Sequence, residues 1–189
     1  NDLNAHYKLA NDIDCSMTKY WNNGKGFDPV GNSANRFNGV IEGNGKVIYN
    51  LTIDRSGTSE EAGLLGYVGS SADMYKIREL GMENVYIDGE TDVGALIGQN
   101  DHNRETIRKS YVTGNISGNT PVGALIGTNF GQVIDSYAHA NVSGYSVGGL
   151  IGNDYVNPLV RSYFTGTSTG GAVIDDEYET IMLQIHTGM

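Results

Sequence analysis

One glycine-bounded apolar motif returns four times along the chain. It appears as Ala62-Gly63-Leu64-Leu65-Gly66, Val93-Gly94-Ala95-Leu96-Ile97-Gly98, Val122-Gly123-Ala124-Leu125-Ile126-Gly127 and Val147-Gly148-Gly149-Leu150-Ile151-Gly152. The closing glycines are 32, 29 and 25 residues apart. A second motif interleaves with it: Ser110-Tyr111, Ser136-Tyr137 and Ser162-Tyr163, spaced by 26 and 26. Two motifs on one period define a unit that stacks on copies of itself. Helical repeats of this length need two stretches that are apolar at i, i+3, i+4 and i+7. These units carry short runs of Val, Ile, Tyr and Thr closed by Gly or Asn, which is strand and turn chemistry. A propeller blade needs about 40 residues, too many for this period. The pattern predicts an all-β fold, a parallel β-helix (β-solenoid) expected to be right-handed, with equivalent positions stacked ~4.8 Å apart.

Period-two alternation assigns the faces. With Ile116 inward, Gly114, Val112 and Ser110 are inward too. The next copies place Val142, Ala140, Ala138 and Ser136 inside, then Ser168, Gly166, Phe164 and Ser162. The outer columns become Tyr111/Tyr137/Tyr163, Thr113/His139/Thr165 and Asn115/Asn141/Thr167. A break of parity at the glycines would turn the tyrosines inward instead.

The β-helix is expected over residues 1–174, with entry coils over 1–54 and repeat coils over 55–174. In the first segment Leu9, Ile13 and Cys15 are inward candidates, and Asn38-Gly39 and Asn44-Gly45 are turn signals. Trp21 and Phe27 are expected to cover the end of the core. Residues 175–189 change period: Tyr178, Ile181, Met182 and Ile185 make one helical stripe, with Asp175 or Asp176 to cap it and Gly188 to end it. That segment is expected to be a short amphipathic helix, as a cap or as a connector to a further domain. The chain opens at Asn1 with no signal-peptide pattern, which reads as a processed product or a fragment.

A net charge of −10 argues against nucleic acid and anionic membranes as partners. No apolar run approaches the ~18 residues of a transmembrane segment. The lone Cys15 can make no internal disulfide. Charge also thins along the chain: residues 115–174 hold only Asp135, Asp154 and Arg161. A Ser/Thr/Asn/Tyr surface with so little charge offers little resistance to self-association.

Catalytic patterns are scarce. His6, His102, His139 and His186 lack the spacing of a zinc peptidase, and no Gly-x-Ser-x-Gly or phosphate loop occurs. No catalytic residue, cofactor or metal is assigned. Ca²⁺ is the one ion considered, at Asp12 and Asp14 or at Asp88, Glu90 and Asp92, where solvated turn carboxylates are the simpler expectation. Asp101-His102-Asn103-Arg104-Glu105 is the most polar loop, and a solvated loop is its simpler reading too. The outward column Tyr111, Tyr137, Tyr163 is the candidate contact ladder, for a sugar face or another protein surface; its structural alternative is a stack that stabilises the wall. Asn50, Asn115 and Asn141 open N-glycosylation sequons and point outward by alternation.

The four glycine-bounded motifs, with Gly-Leu-Leu-Gly at 63–66 and Gly-Ala-Leu-Ile-Gly at 94–98 and 123–127, resemble the GLUG-repeat family of extracellular β-helix modules. The Ser-Tyr copies and the entry pattern Leu9-Ala10-Asn11-Asp12-Ile13-Asp14 through Gly43-Asn44-Gly45 fit as well, over residues 3 to 170. The resemblance implies bacterial or archaeal surface proteins: adhesins, surface-layer components and stalks of immunoglobulin-A-protease-type metallopeptidases. It also implies a helix just before Leu3-Asn4, so the chain reads as trimmed at its start. The expected role is a non-catalytic extracellular or cell-surface module, structural or adhesive. It would self-associate or bind other surface proteins or glycans through its outer ladders. A carbohydrate-active β-helix enzyme and a passive stalk of a larger surface protease are the alternatives. Two close carboxylates with an Arg or Lys in a groove would favour the enzyme.

Overall fold

The computed structural model describes residues 2–155 and 159–173. Each sequence period becomes one turn of a parallel solenoid. The long wall runs through His6–Lys8, Val40–Tyr49, Ile77–Gly94, Tyr111–Gly123, Tyr137–Val147 and Tyr163–Val173, each paired in parallel with the next. A second wall stacks Leu65–Val68, Ile97–Asn100, Ile126–Asn129 and Ile151–Asp154, again in parallel.

The glycine-bounded motif makes the corner between the walls. Its backbone hydrogen bonds run from coil to coil, Ala95 N to Ala124 O and Ala124 N to Gly149 O. The stacked Leu96, Leu125 and Leu150 fill the corner, fully buried. Each such leucine withdraws enough apolar surface to contribute about 1.5–3 kcal/mol. The glycines are steric requirements. A Cβ on Gly123 would lie 2.3 Å from Ile126 O and 2.4 Å from Gly152 N.

The serine motif aligns in a buried column. Ser110 N donates to Ser136 Oγ at 3.2 Å, and Ser136 N to Ser162 Oγ at 3.1 Å. Each hydroxyl in turn donates to the carbonyl two residues earlier, on Arg108, Ile134 and Val160. A small residue with one donor and two acceptor sites is what a wall corner needs where backbone pairing lapses. The alternation also holds: Val112, Ala138, Ile116 and Val142 are buried, and the tyrosines face outward.

The first coil departs from expectation. Leu9 and Cys15 pack half-buried against the core, but Ile13 is 44% exposed although it pairs with Ile48. It sits on the outermost strand, with only one side covered. Trp21 is 50% exposed and, among the described residues, is not one of those packed against the core. Left-handed Asn22 and Asn23 (φ 50° and 58°) kink the chain within the 3₁₀ segment Ser16–Gly24, and Thr18 and Phe27 reach inward in place of Trp21. The 175–189 helix expected from the sequence lies outside the described residues.

The polar loop at 101–105 is solvated only in part: Asn103 and Arg104 are exposed, whereas Asp101 and Glu105 are half-buried and His102 is buried. Asp101 accepts hydrogen bonds from Tyr67 and pairs with Arg36, and Arg104 donates to Ala72 O. His102 is fully buried, with the Met74 backbone beside its ring. Burial, and then the nearby Lys76 ammonium, hold this imidazole below its ordinary value. The unfolded chain therefore takes up a proton here before the folded chain does. Stability resting on neutral His102 is complete above about pH 6.5 and is lost as pH falls toward the lowered folded value. Thermal melts of wild type and His102→Leu across this range will show a steeper acid decline in the wild type.

Candidate contact face

The long-wall strands Tyr111–Gly123, Tyr137–Val147 and Tyr163–Val173 run in unbroken register from Tyr111↔Tyr137↔Tyr163 to Ser117↔Ser143↔Thr169. Three outward columns follow from that register. In the first, the Tyr111 and Tyr137 rings stack at 5.2 Å and 5°, and Tyr137 and Tyr163 at 5.3 Å and 6°. The stack begins over Gly81, where a Cβ would strike the Tyr111 ring at 2.6 Å. Tyr111 also donates to Glu83 Oε1 at 2.6 Å. Burial, followed by this carboxylate, holds its phenol above the usual value.

Rings stacked along the solenoid axis hide their faces against one another. What the ladder shows to solvent is a row of ring edges and hydroxyls, plus the outer part of Tyr163, which is 45% exposed. Each ring pair adds about 0.5–1.5 kcal/mol beyond buried area. Tyr137→Ala breaks two such pairs and should cost about 1–3 kcal/mol in a denaturant melt, whereas Tyr137→Phe keeps the stack and should stay near wild type.

The second column is Thr113, His139 and Thr165, with His139 Nδ1 3.1 Å from Thr165 Oγ1. The third is an amide ladder: Asn141 Nδ2 donates to Asn115 Oδ1 at 3.0 Å, and Thr167 donates to Asn141 Oδ1 at 2.7 Å. Between these columns the wall bends at Gly114 and Gly166 (φ 140° and 145°), where a Cβ would meet the preceding coil's backbone at 2.3 and 2.0 Å. The bend leaves a trough of about 260 Å³ lined by Asn84, Thr113, Asn115, His139 and Asn141, with no charged side chain. The sequence reading found the columns but missed the trough. Its signal was the small residue at 114, 140 and 166, repeating every 26 positions.

The sequon asparagines point outward. Asn115 and Asn141 are exposed and one coil apart. Asn50 takes a left-handed conformation, and its amide donates to Asp14 Oδ1 while accepting from Asn84.

The carboxylates considered for Ca²⁺ face separate partners. Asp12 accepts from Val47 N, and Asp14 from Ser16 N and Asn50. Asp88 accepts from Ser117, Glu90 from Asn119 and Asp92 from Thr128. Among the described residues, no group of three or more His, Cys, Asp or Glu side chains is placed to hold a metal ion. One pocket does join carboxylates to an arginine: Asp28, Glu60 and Glu61 line it with Arg55. The Arg55 guanidinium is buried and engaged by Asp28, Glu60 and the carbonyls of Lys25, Asp54 and Phe27. It serves as a clip between coils, with its donors already taken. Among the described residues no helix is long and apolar enough to cross a membrane.

No family model matches the chain, and no solved structure matches it. It is similar to two curated proteins. Halomucin of Haloquadratum walsbyi is 38% identical over 114 residues, which is 58% of this chain and 1% of halomucin. A protein of Evansella cellulosilytica described as a Gly-rich membrane protein is 38% identical over 99 residues, or 50% of this chain and 11% of that protein. The chain therefore spans only a small part of either relative, and what it shares with each is a stretch of about one hundred residues.

Proposed function

We propose that this chain is a non-catalytic structural or adhesive module of a surface or extracellular protein, of the GLUG-repeat kind. It works as a stacked rod whose uncharged face makes the contacts. One observation carries the reading: tyrosine, threonine/histidine and asparagine columns stand in register on three successive coils, with no charged side chain among them. Nearby, Arg161 is neutralised by Asp135. Contacts that repeat every coil add by multivalency, so individually weak ones suffice. The similarity to a short segment of halomucin supports a surface setting.

Two measurements test this. Immunogold labelling of intact source cells with antibody to the folded chain should mark the cell exterior; label confined to the interior contradicts the reading. Sedimentation of the purified chain should show concentration-dependent association or co-sedimentation with envelope material, and His139→Glu should abolish it. The carbohydrate-active alternative draws on the Asp28/Arg55/Glu60/Glu61 pocket. Release of reducing ends from a polysaccharide, lost in Glu61→Gln, would establish that alternative.

A further inference from the structure

We infer that the trough along Thr113, Asn115, His139 and Asn141 binds a neutral, extended oligosaccharide laid parallel to the solenoid axis; this rests on the reading of the same face as a contact face. Four features point to that ligand class. The first is repetition at a matching pitch. Equivalent groups recur every coil, as the ring spacings of 5.2 and 5.3 Å record, and that step is close to the length of one sugar ring in an extended chain. Successive rings of a straight polymer then meet polar side chains at each step, Thr113 and Asn115 on one coil and His139 and Asn141 on the next, whereas a coiled polymer leaves the trough after one contact.

The second feature is the donor and acceptor set. Amides, a hydroxyl and an imidazole offer donors and acceptors side by side, which is what vicinal sugar hydroxyls need. Asn141 passes a hydrogen bond to Asn115 and receives one from Thr167, so the ladder is already oriented before a ligand arrives. Thr113 Oγ1 accepts from Asn84 N at 3.1 Å, which holds that oxygen in the lining. Pre-orientation lowers the ordering cost of binding.

The third is charge. The lining holds no Lys or Arg to pair with a carboxylate or sulfate, and the chain as a whole carries −10. Polyanionic saccharides are therefore repelled and neutral ones are not. The fourth is shape. At about 260 Å³ the trough lies below the ~300–1,000 Å³ of enclosed ligand pockets, and it is open along its length. Such a site grips a chain from one side rather than swallowing a small molecule. The row of Tyr111, Tyr137 and Tyr163 stands two residues from Thr113, His139 and Thr165 on the same strands and face, a rim of ring edges and hydroxyls beside the trough.

The test is calorimetric titration of the folded chain with cellohexaose, chitohexaose and a hexagalacturonate. At least one neutral hexasaccharide should bind with affinity unchanged between low and moderate salt, and the uronate at least about tenfold more weakly. Asn115→Ala and His139→Ala sit at exposed positions and should keep the wild-type melting temperature while weakening the neutral ligand by about tenfold each. Asn119→Ala, outside the trough, should not weaken it. Tighter binding of the uronate, or equal binding by all variants, overturns the proposal. Absence of saccharide binding in a chain whose self-association His139→Glu abolishes overturns it too, yet leaves the contact-face reading standing. Absence of both overturns the two together.

Discussion

Gly123→Val should be among the most damaging single substitutions in this chain, lowering stability by more than about 4 kcal/mol. The reason is the distance between coils. A Cβ at this position would lie 2.3 Å from Ile126 O, 2.4 Å from Gly152 N and 2.7 Å from Ile151 C, all of them backbone. No side-chain rotamer can relieve such a contact, so the coils must separate or the corner must open. Separation also uncovers Leu125 and Leu150, which are fully buried at that corner. For a chain of this size the melting temperature should fall by roughly 8–16 °C. Gly45→Asn is the control. Gly45 is left-handed at φ 70° with nothing within 4 Å, so Asn, which tolerates that conformation, should cost under about 1 kcal/mol.

The second large effect is expected at Asn129. Its side chain is fully buried. Oδ1 accepts from Asn100 Nδ2 at 2.9 Å and from Gly131 N at 3.1 Å, and Nδ2 donates to Asp154 Oδ1 at 3.2 Å. Asn129→Leu fits the volume but strips the Gly131 N–H of its acceptor and the Gly131 carbonyl of its donor in a dry setting. Each such group costs about 1–3 kcal/mol, so a loss of roughly 3–5 kcal/mol is expected by chemical denaturation. Asn141→Leu breaks an equally regular ladder on the outside, where water replaces the amide, and should cost under about 1 kcal/mol.

That pair of asparagines also shows what could and could not be read from the sequence. The solenoid, the serine column and the outward tyrosines all follow from periods of 26 and of two, because stacking makes every coil repeat the environment of the last. The buried amide ladder obeys the same logic. Asn100, Asn129 and Asp154 each stand two residues after a motif glycine, at 98, 127 and 152. Polar residues in a turn invite a solvent reading, and only the fixed offset marks them as interior. His102 misled for the same reason. Its loop is rich in charge, yet Arg36, Tyr67 and Ala72 clamp that charge from neighbouring coils. Partners more than thirty residues away leave no local signature. Trp21 failed in the opposite sense: a large apolar ring suggests a cap, but the left-handed turn at Asn22 and Asn23 directs it to solvent.

The contact face itself was only half legible. Alternation gave the columns, but not the fact that stacking conceals the tyrosine faces, nor the trough that the bend at Gly114 and Gly166 opens beside them. Both depend on how one coil tilts over the next, which parity does not encode.

Spin-label distances across the Asn115, Asn141 and Thr167 column test the coil-over-coil architecture most directly. In a Cys15→Ser background, labels at Asn115→Cys and Asn141→Cys should couple strongly, at roughly 5–10 Å. The pair at Asn115→Cys and Thr167→Cys should be farther apart by about one coil spacing, ~5 Å. Separations beyond about 20 Å for the first pair, or no ordered increase to the second, would contradict a solenoid with its side chains in register.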